Sequence, residues 1–285
     1  MRKLFGNSGK RECPQKKEHP EKKEHPGKKA KPLDRRYIPY ICLVAVGAFF
    51  ITAGLREIIT GQREAAAARI EYDQLREEFA EISKYPTPEP FIESEEATEI
   101  IEDDEEAAKE PEPPSLEDLA RMNRDFIGWI SIKNIIEYPI VRASDNDKYV
   151  NLTFTGQRNT AGAIFMDYRN SDGFDEKVCI LYGHHTWDGT MFAPLAKYLD
   201  SSFLQRNPTV TITTPDGKYL GYRIFAAKLT NAWDEAYSVG ISDAARAAEV
   251  FPNAPSNASR FLLMSTCTRS RDKDERILVY AVATS

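Results

Sequence analysis

The sequence predicts a mainly β protein: a closed or nearly closed eight-stranded barrel with added helices, preceded by a transmembrane helix and a linker. Three observations predict it. From residue 128 to residue 283, eight short apolar runs recur with turn residues between them and without a regular strand–helix alternation, the pattern of a barrel with attached helices and not of a βαβ sheet. Residues 37–55 are nineteen residues without a charge. Between these two regions the composition becomes acidic and proline-rich, which suits an extended linker and no packed layer.

At the N-terminus, residues 1–36 hold thirteen Lys or Arg against five Asp or Glu, with Lys-Lys-Glu-His-Pro repeated at 16–20 and 22–26. Such a polar tract cannot bury a core, so a disordered tail is expected. The apolar stretch 37–55 that follows spans about 28 Å as a helix, roughly one bilayer core. A cleaved signal peptide has a shorter apolar region and a small-residue cleavage site, so an uncleaved single-pass anchor is the expectation. The basic block lies before the span and acidic sequence after it, which by the positive-inside rule puts the N-terminus in the cytoplasm and everything after Arg56 outside. Beside a membrane span, the basic tail sets topology or meets anionic lipid; no nucleic acid is expected as a partner.

Residues 56–84 are strong helix formers, and Ile70, Leu75 and Phe79 recur at helical spacing, so a helical stalk continuing the membrane helix is expected. Residues 85–114, with Tyr85-Pro86-Thr87-Pro88-Glu89-Pro90 and Glu110-Pro111-Glu112-Pro113-Pro114, read as the acidic linker. Ser115-Leu116-Glu117-Asp118 resembles a capping box opening a short helix to about Asn123, where a globular domain of residues 115–285 begins. Its strands are expected at 128–132, 137–141, 163–166, 177–182, 209–213, 219–228, 260–265 and 277–283. Thr214-Pro215-Asp216-Gly217 is a turn between two of them. Helices are expected over 191–204, with Phe192, Leu195, Leu199 and Leu204 as core contacts, and over about 242–251. Trp129, Trp187 and Trp233 are read as packing residues, not ligand platforms.

The four cysteines form no disulfide framework. Cys13 lies in the tail, Cys42 in the span, and Cys179 sits mid-run between Val178 and Ile180 as a small buried hydrophobe. Cys267 is left as a free thiol at the polar end of the apolar run Phe261-Leu262-Leu263-Met264-Ser265-Thr266, an unusual choice outside a cell unless the thiol is used. A second apolar run, Val178 to Tyr182, ends in Gly183-His184-His185, and Arg276 opens a third, Ile277 to Val282. Cys, His and Arg suit acyl transfer: a thiolate attacks a carbonyl carbon, an imidazolium protonates the departing amine, and a guanidinium neutralises the oxyanion. Singly, a strand-end Cys is more often a packed residue and a His-His pair a loop or weak metal site; together they form an ordered set. No Gly-rich phosphate loop and no metal-ligand spacing is present, so no cofactor and no metal are expected.

The set resembles the sortase family, and within it class B. The family's Thr-Leu-x-Thr-Cys signature appears as Leu263-Met264-Ser265-Thr266-Cys267, keeping its last two residues, and its Tyr-Gly-His as Tyr182-Gly183-His184. Its strand-initiating Arg appears as Arg276. Asp125-Phe126-Ile127-Gly128-Trp129-Ile130, Tyr138-Pro139-Ile140-Val141, Asp145 to Tyr149 and Gly162 to Asp167 also resemble class B, and the likeness runs from about residue 116 to the end. The resemblance implies a sortase-like barrel and a transpeptidase that cuts a C-terminal sorting signal of a secreted protein, of Asn-Pro-x-Thr type, after the Thr. Cys267 would hold the acyl group and pass it to an amine on a peptidoglycan precursor or a pilin lysine. His184 is assigned catalysis over His185, and Arg276 over Arg269 and Arg271 because a strand start holds its side chain. Ser265, Thr266 and Tyr182 are candidate substrate contacts. Two other readings stay open: a membrane-anchored cysteine protease that only hydrolyses, and a non-catalytic peptide-binding scaffold.

Overall fold

The computed structural model describes residues 35–84, 115–171, 173–238, 246 and 249–284. The expected tail up to residue 34, the linker 85–114 and most of the helix expected over 242–251 lie outside the described residues. The chain divides into two units, Met1–Ala53 and Gly54–Ser285.

Helix α1 runs from Ile38 to Ile82. In the first unit its side chains are apolar all round and exposed, among them Tyr40, Leu43, Val44, Phe49 and Phe50, and the helix is long and apolar enough to cross a membrane. A helix without a polar face has no water-facing side to offer, which is the composition of a span and not of a surface helix.

In the second unit the rest of α1 lies on the barrel. Ala68, Tyr72 and Leu75 are buried, and Phe79 stacks on Trp129 with ring centroids 4.3 Å apart and planes within 4°, a pair worth about 0.5–1.5 kcal/mol beyond its buried area. Positions 68, 72, 75 and 79 follow the i, i+4, i+7, i+11 stripe of one helical face. Ile70, off that stripe, is exposed. Helix α2, Leu116–Met122, opens with Asp118 accepting from the Ser115 backbone N–H at 2.8 Å, and buries Leu116 and Leu119.

The strands are β1 Phe126–Ile132, β2 Ile136–Val141, β3 Ile164–Met166, β4 Val178–Tyr182, β5 Thr209–Thr213, β6 Tyr219–Asn231, β7 Phe261–Cys267 and β8 Glu275–Ala283. They close a barrel in the order β1-β2-β3-β4-β7-β8-β6-β5. The pairs β2–β3 and β4–β7 are parallel, the other six antiparallel. Closure removes the open edges that an eight-stranded sheet would otherwise present.

Strands β4 and β7 read as continuous apolar runs because both of their faces are covered. Cys179, Leu181, Leu262 and Met264 belong to the main core, while Val178, Ile180, Phe261 and Leu263 join a second cluster with Val250, Phe251 and Tyr280. Cys179 is thus a core side chain, and burial pushes its thiol up to about 12, which keeps it protonated and inert.

The single helix expected over 191–204 is instead a 3-10 helix, Ala193–Leu199, followed by α3, Ser201–Arg206. The break falls at Asp200, whose side chain accepts from the Ser202 N–H and caps α3. Three residues per turn put Phe192, Leu195 and Tyr198 on one buried line, so Leu199 is exposed, contrary to its expected core role. Trp187 and Trp233 are likewise exposed, and only Trp129 packs in the core.

Candidate active site

A cleft of about 600 Å³ opens at one end of β4, β7 and β8, lined among others by Tyr182, His184, Ser265, Thr266, Cys267 and Arg276. The volume lies within the range of ligand-binding clefts. Sheet register explains the grouping. In the antiparallel β7–β8 pair Cys267 and Arg276 are direct partners, so their side chains leave the same face of the sheet. In the parallel β4–β7 pair Tyr182 is opposite Ser265, and Gly183 N–H continues the ladder to Ser265 O at 3.2 Å. The next residue of β4's continuation, His184, therefore arrives at the level of Cys267.

Gly183 makes this continuation possible. A Cβ there would lie 2.5 Å from Ile164 Cδ1 and 2.8 Å from the Phe192 ring, so the backbone before His184 runs closer to the core than any side chain permits. Gly183→Ala is expected to cost about 1–3 kcal/mol by overpacking, read as a lower urea midpoint with unchanged slope, together with loss of Cys267 reactivity toward peptide.

His184 is half-buried, and its Nε2 donates to the Val150 carbonyl at 2.7 Å. A carbonyl only accepts, so Nε2 carries a proton and Nδ1 is the nitrogen whose proton can come and go. His185 donates from Nδ1 to the Cys267 carbonyl at 3.0 Å. Burial pushes the His185 imidazole below its ordinary value, the Cys267 carbonyl opposes this, and the nearby Arg269 adds to it.

Arg276 is the second residue of β8, and its Nη1 donates to Lys273 O at 2.6 Å and Glu275 O at 3.0 Å. Among the described residues both protein bonds use Nη1. Arg269 lies away from the cleft lining: it donates to Thr186 O and Trp187 O and sits 5.0 Å over the Trp187 ring. Arg271 is exposed. Ser265 and Thr266 are buried in the cleft wall, Ser265 paired with the Tyr237 hydroxyl at 2.7 Å. Thr266 Oγ1 is buried with no hydrogen-bond partner among the described residues.

The cleft also contains a group that the motifs do not announce. Asp167, fully buried, accepts from the Arg169 guanidinium at 2.8 and 2.7 Å and from the Tyr182 hydroxyl at 2.8 Å. Burial alone would raise the Asp167 carboxyl, but the Arg169 and Tyr182 bonds hold it below the ordinary carboxylate value. Tyr182, stacked near Tyr237 at 6.2 Å, is thereby fixed in the wall. The available signal was Asp167 at the end of the Gly162-to-Asp167 segment; Tyr237 had none. Among the described residues no cluster of His, Cys, Asp or Glu could hold a metal ion.

Comparison with known proteins bears on the family and the fold. The sortase domain family matches residues 131–284. Sortase B of Listeria monocytogenes is 46% identical over 95 residues, 33% of this chain and 39% of that protein. Sortase B of Staphylococcus aureus is 36% identical over 122 residues, 42% of this chain and 50% of that protein. The matched segments thus span half or less of the length of these two relatives. The X-ray structure of Clostridium perfringens sortase B superposes with a TM-score of 0.55 at 27% identity, covering 60% of this chain and 100% of that one. With a match over more than half its length, this chain belongs to the sortase family and is similar to its class B members.

Proposed function

We propose that this protein is a membrane-anchored cysteine transpeptidase that cleaves a C-terminal sorting signal of Asn-Pro-x-Thr type after the Thr. The observation that carries the reading is the placement of Cys267 directly across the sheet from Arg276, in the cleft that His184 also lines. The Cys267 thiolate attacks the Thr carbonyl carbon. Nη2 and Nε of Arg276 meet the developing oxyanion. The peptide C–N bond breaks as His184 gives its Nδ1 proton to the departing amine, leaving a thioester on Cys267. An acceptor amine then attacks the thioester, gives its proton back to Nδ1 and releases the thiolate. The donor of the amine is a peptidoglycan precursor or a pilin lysine, and Thr266 and the Tyr182 ring, both in the cleft lining, are the substrate contacts the cleft offers. The apolar part of α1 anchors the chain with its N-terminus in the cytoplasm and the barrel outside.

The test uses the full chain in nanodiscs with quenched Asn-Pro-x-Thr peptides, followed by mass spectrometry with and without oligoglycine or a diaminopimelate-type peptide. Cleavage after Thr that disappears in Cys267→Ala and becomes ligation with amine is the expected result. Hydrolysis alone at saturating amine would make the protein a protease. Absence of cleavage, with Cys267 refractory to a methanethiosulfonate, would leave a peptide-binding scaffold.

A further inference from the structure

We propose that the membrane-proximal part of α1 positions the His184 imidazole, through a clamp of Tyr72 on Gly162 and of Arg69 on Asp188. The inference rests on the reading of His184 as the proton donor.

The Tyr72 hydroxyl is buried against the barrel. It donates to the Gly162 carbonyl at 2.7 Å and accepts from the Phe154 N–H at 3.3 Å. Gly162 has φ +59, and a Cβ on it would lie 2.7 Å from the Val150 carbonyl oxygen and 3.1 Å from His184 Cδ2. The Val150 carbonyl is the acceptor for His184 Nε2. Tyr72 thus holds the turn that touches both the imidazole and the group that orients it.

The second hold is on the loop that follows His184. Arg69 donates from Nε to Asp188 Oδ2 at 2.8 Å and from Nη2 to the Asp188 carbonyl at 3.2 Å. Asp188 sits in the loop that leaves His184 and returns to it, closed by Phe192 N–H on the His184 carbonyl at 3.0 Å. Burial would raise the Asp188 carboxyl, but bonds from Thr190, Thr186 and Arg69 hold it down to about 2, so it stays charged toward Arg69 throughout the working range. Near the end of the loop, Met191 N–H donates to the Tyr138 hydroxyl at 3.0 Å, and the Tyr138 ring meets the Tyr72 ring edge-on at 5.1 Å.

The two holds are unequal. Arg69 is half-exposed, and exposed ion pairs contribute little. The Tyr72 hydroxyl is buried, and removing it leaves the Gly162 carbonyl and Phe154 N–H without their partner, which is the costlier loss. Tyr72 is therefore the main positioning residue and Arg69 the auxiliary one.

The test labels histidine with ¹³C at Cε1 in the full chain in nanodiscs, four residues in all, with His184 assigned through His184→Gln. Tyr72→Phe is expected to move the His184 signal and to lower kcat/KM for the sorting peptide about tenfold through kcat, with KM unchanged. Arg69→Gln, on an exposed side chain that the fold does not need, should move the same signal less, and Arg69→Lys should restore part of the shift. Phe79→Leu weakens the same helix–barrel contact without a path to His184, and its signal should stay with wild type. A His184 signal unmoved in both Tyr72→Phe and Arg69→Gln overturns the clamp, as does a shift no larger than in Phe79→Leu. Absence of Cys267-dependent cleavage in wild type would overturn the functional reading alone, because the ¹³C comparison needs no turnover.

Discussion

His184→Ala is expected to lower kcat/KM for sorting-peptide cleavage about 10²–10⁴-fold, the range that a positioned general acid supplies, whereas His185→Ala stays within about tenfold of wild type. The two adjacent imidazoles differ in what their nitrogens face. His184 lines the cleft and spends Nε2 on the Val150 carbonyl, which fixes its tautomer and leaves Nδ1 for proton transfer. His185 spends Nδ1 on the Cys267 carbonyl and is absent from the cleft lining. Because burial pushes His185 below the ordinary imidazole value, it is uncharged near neutral pH and is a poor acid there. Its loss frees one backbone carbonyl, a neutral hydrogen bond worth about 1 kcal/mol or several-fold in rate. Steady-state hydrolysis of a quenched peptide near pH 7.5 checks the ranking, and a larger loss in His185→Ala than in His184→Ala would reverse the assignment.

The same arrangement shows which parts of the site were legible in the chain. Strand-end placement of Cys267 and the Tyr-Gly-His run were readable because period and polarity change together there, and the barrel followed from eight short apolar runs closed by turns. Their mutual register was not readable, since the segments that connect β4 to β7 carry no local trace of which strand neighbours which. The helix after residue 56 illustrates the opposite failure. Its barrel-facing stripe is Ala68, Tyr72 and Leu75, all buried, with the partly buried Phe79, and only two of these four stand out among the alanines and charges around them, while the conspicuous Ile70 is exposed. Tyr72 earns its burial from the Gly162 carbonyl 90 residues away, a partner that helical periodicity cannot reveal. Asp167 was hidden for a related reason: an Asp at the end of a strand usually faces water, and here Arg169, Tyr182 and Asn146 replace the water.

Asp167→Asn is expected to lower stability by about 2–3 kcal/mol and to raise KM for the sorting peptide about tenfold. The carboxylate accepts from Arg169 Nε, Nη2 and backbone N–H and from the Tyr182 hydroxyl at 2.7–3.0 Å, with Asn146 at 3.3 Å. An amide has one accepting oxygen, so one side of the group would place an NH₂ against donors. Breaking a fully buried ion pair costs about 3–5 kcal/mol, but Arg169 is 41% exposed and water would recover part of the loss, hence the lower figure. For a barrel of this size the loss corresponds to a melting temperature about 5–10 °C lower. The pH dependence distinguishes a lost charge from a lost shape. The Asp167 carboxyl is held below its ordinary value of 3.8 in the folded state, so its contribution is fully present above 3.8 and is lost as pH falls through the lower folded value. The melting difference between wild type and Asp167→Asn should be constant from pH 5 to 8 and should narrow below about 3.8, as the carboxyl is protonated first in the unfolded chain and, at lower pH, in the folded one. A difference that persists undiminished in acid would mean that the site depends on the shape of the side chain at 167 and not on its charge. The rise in KM follows from the same bonds, because Tyr182 is kept in the cleft wall by the carboxylate, and once released it must be ordered again each time a peptide binds.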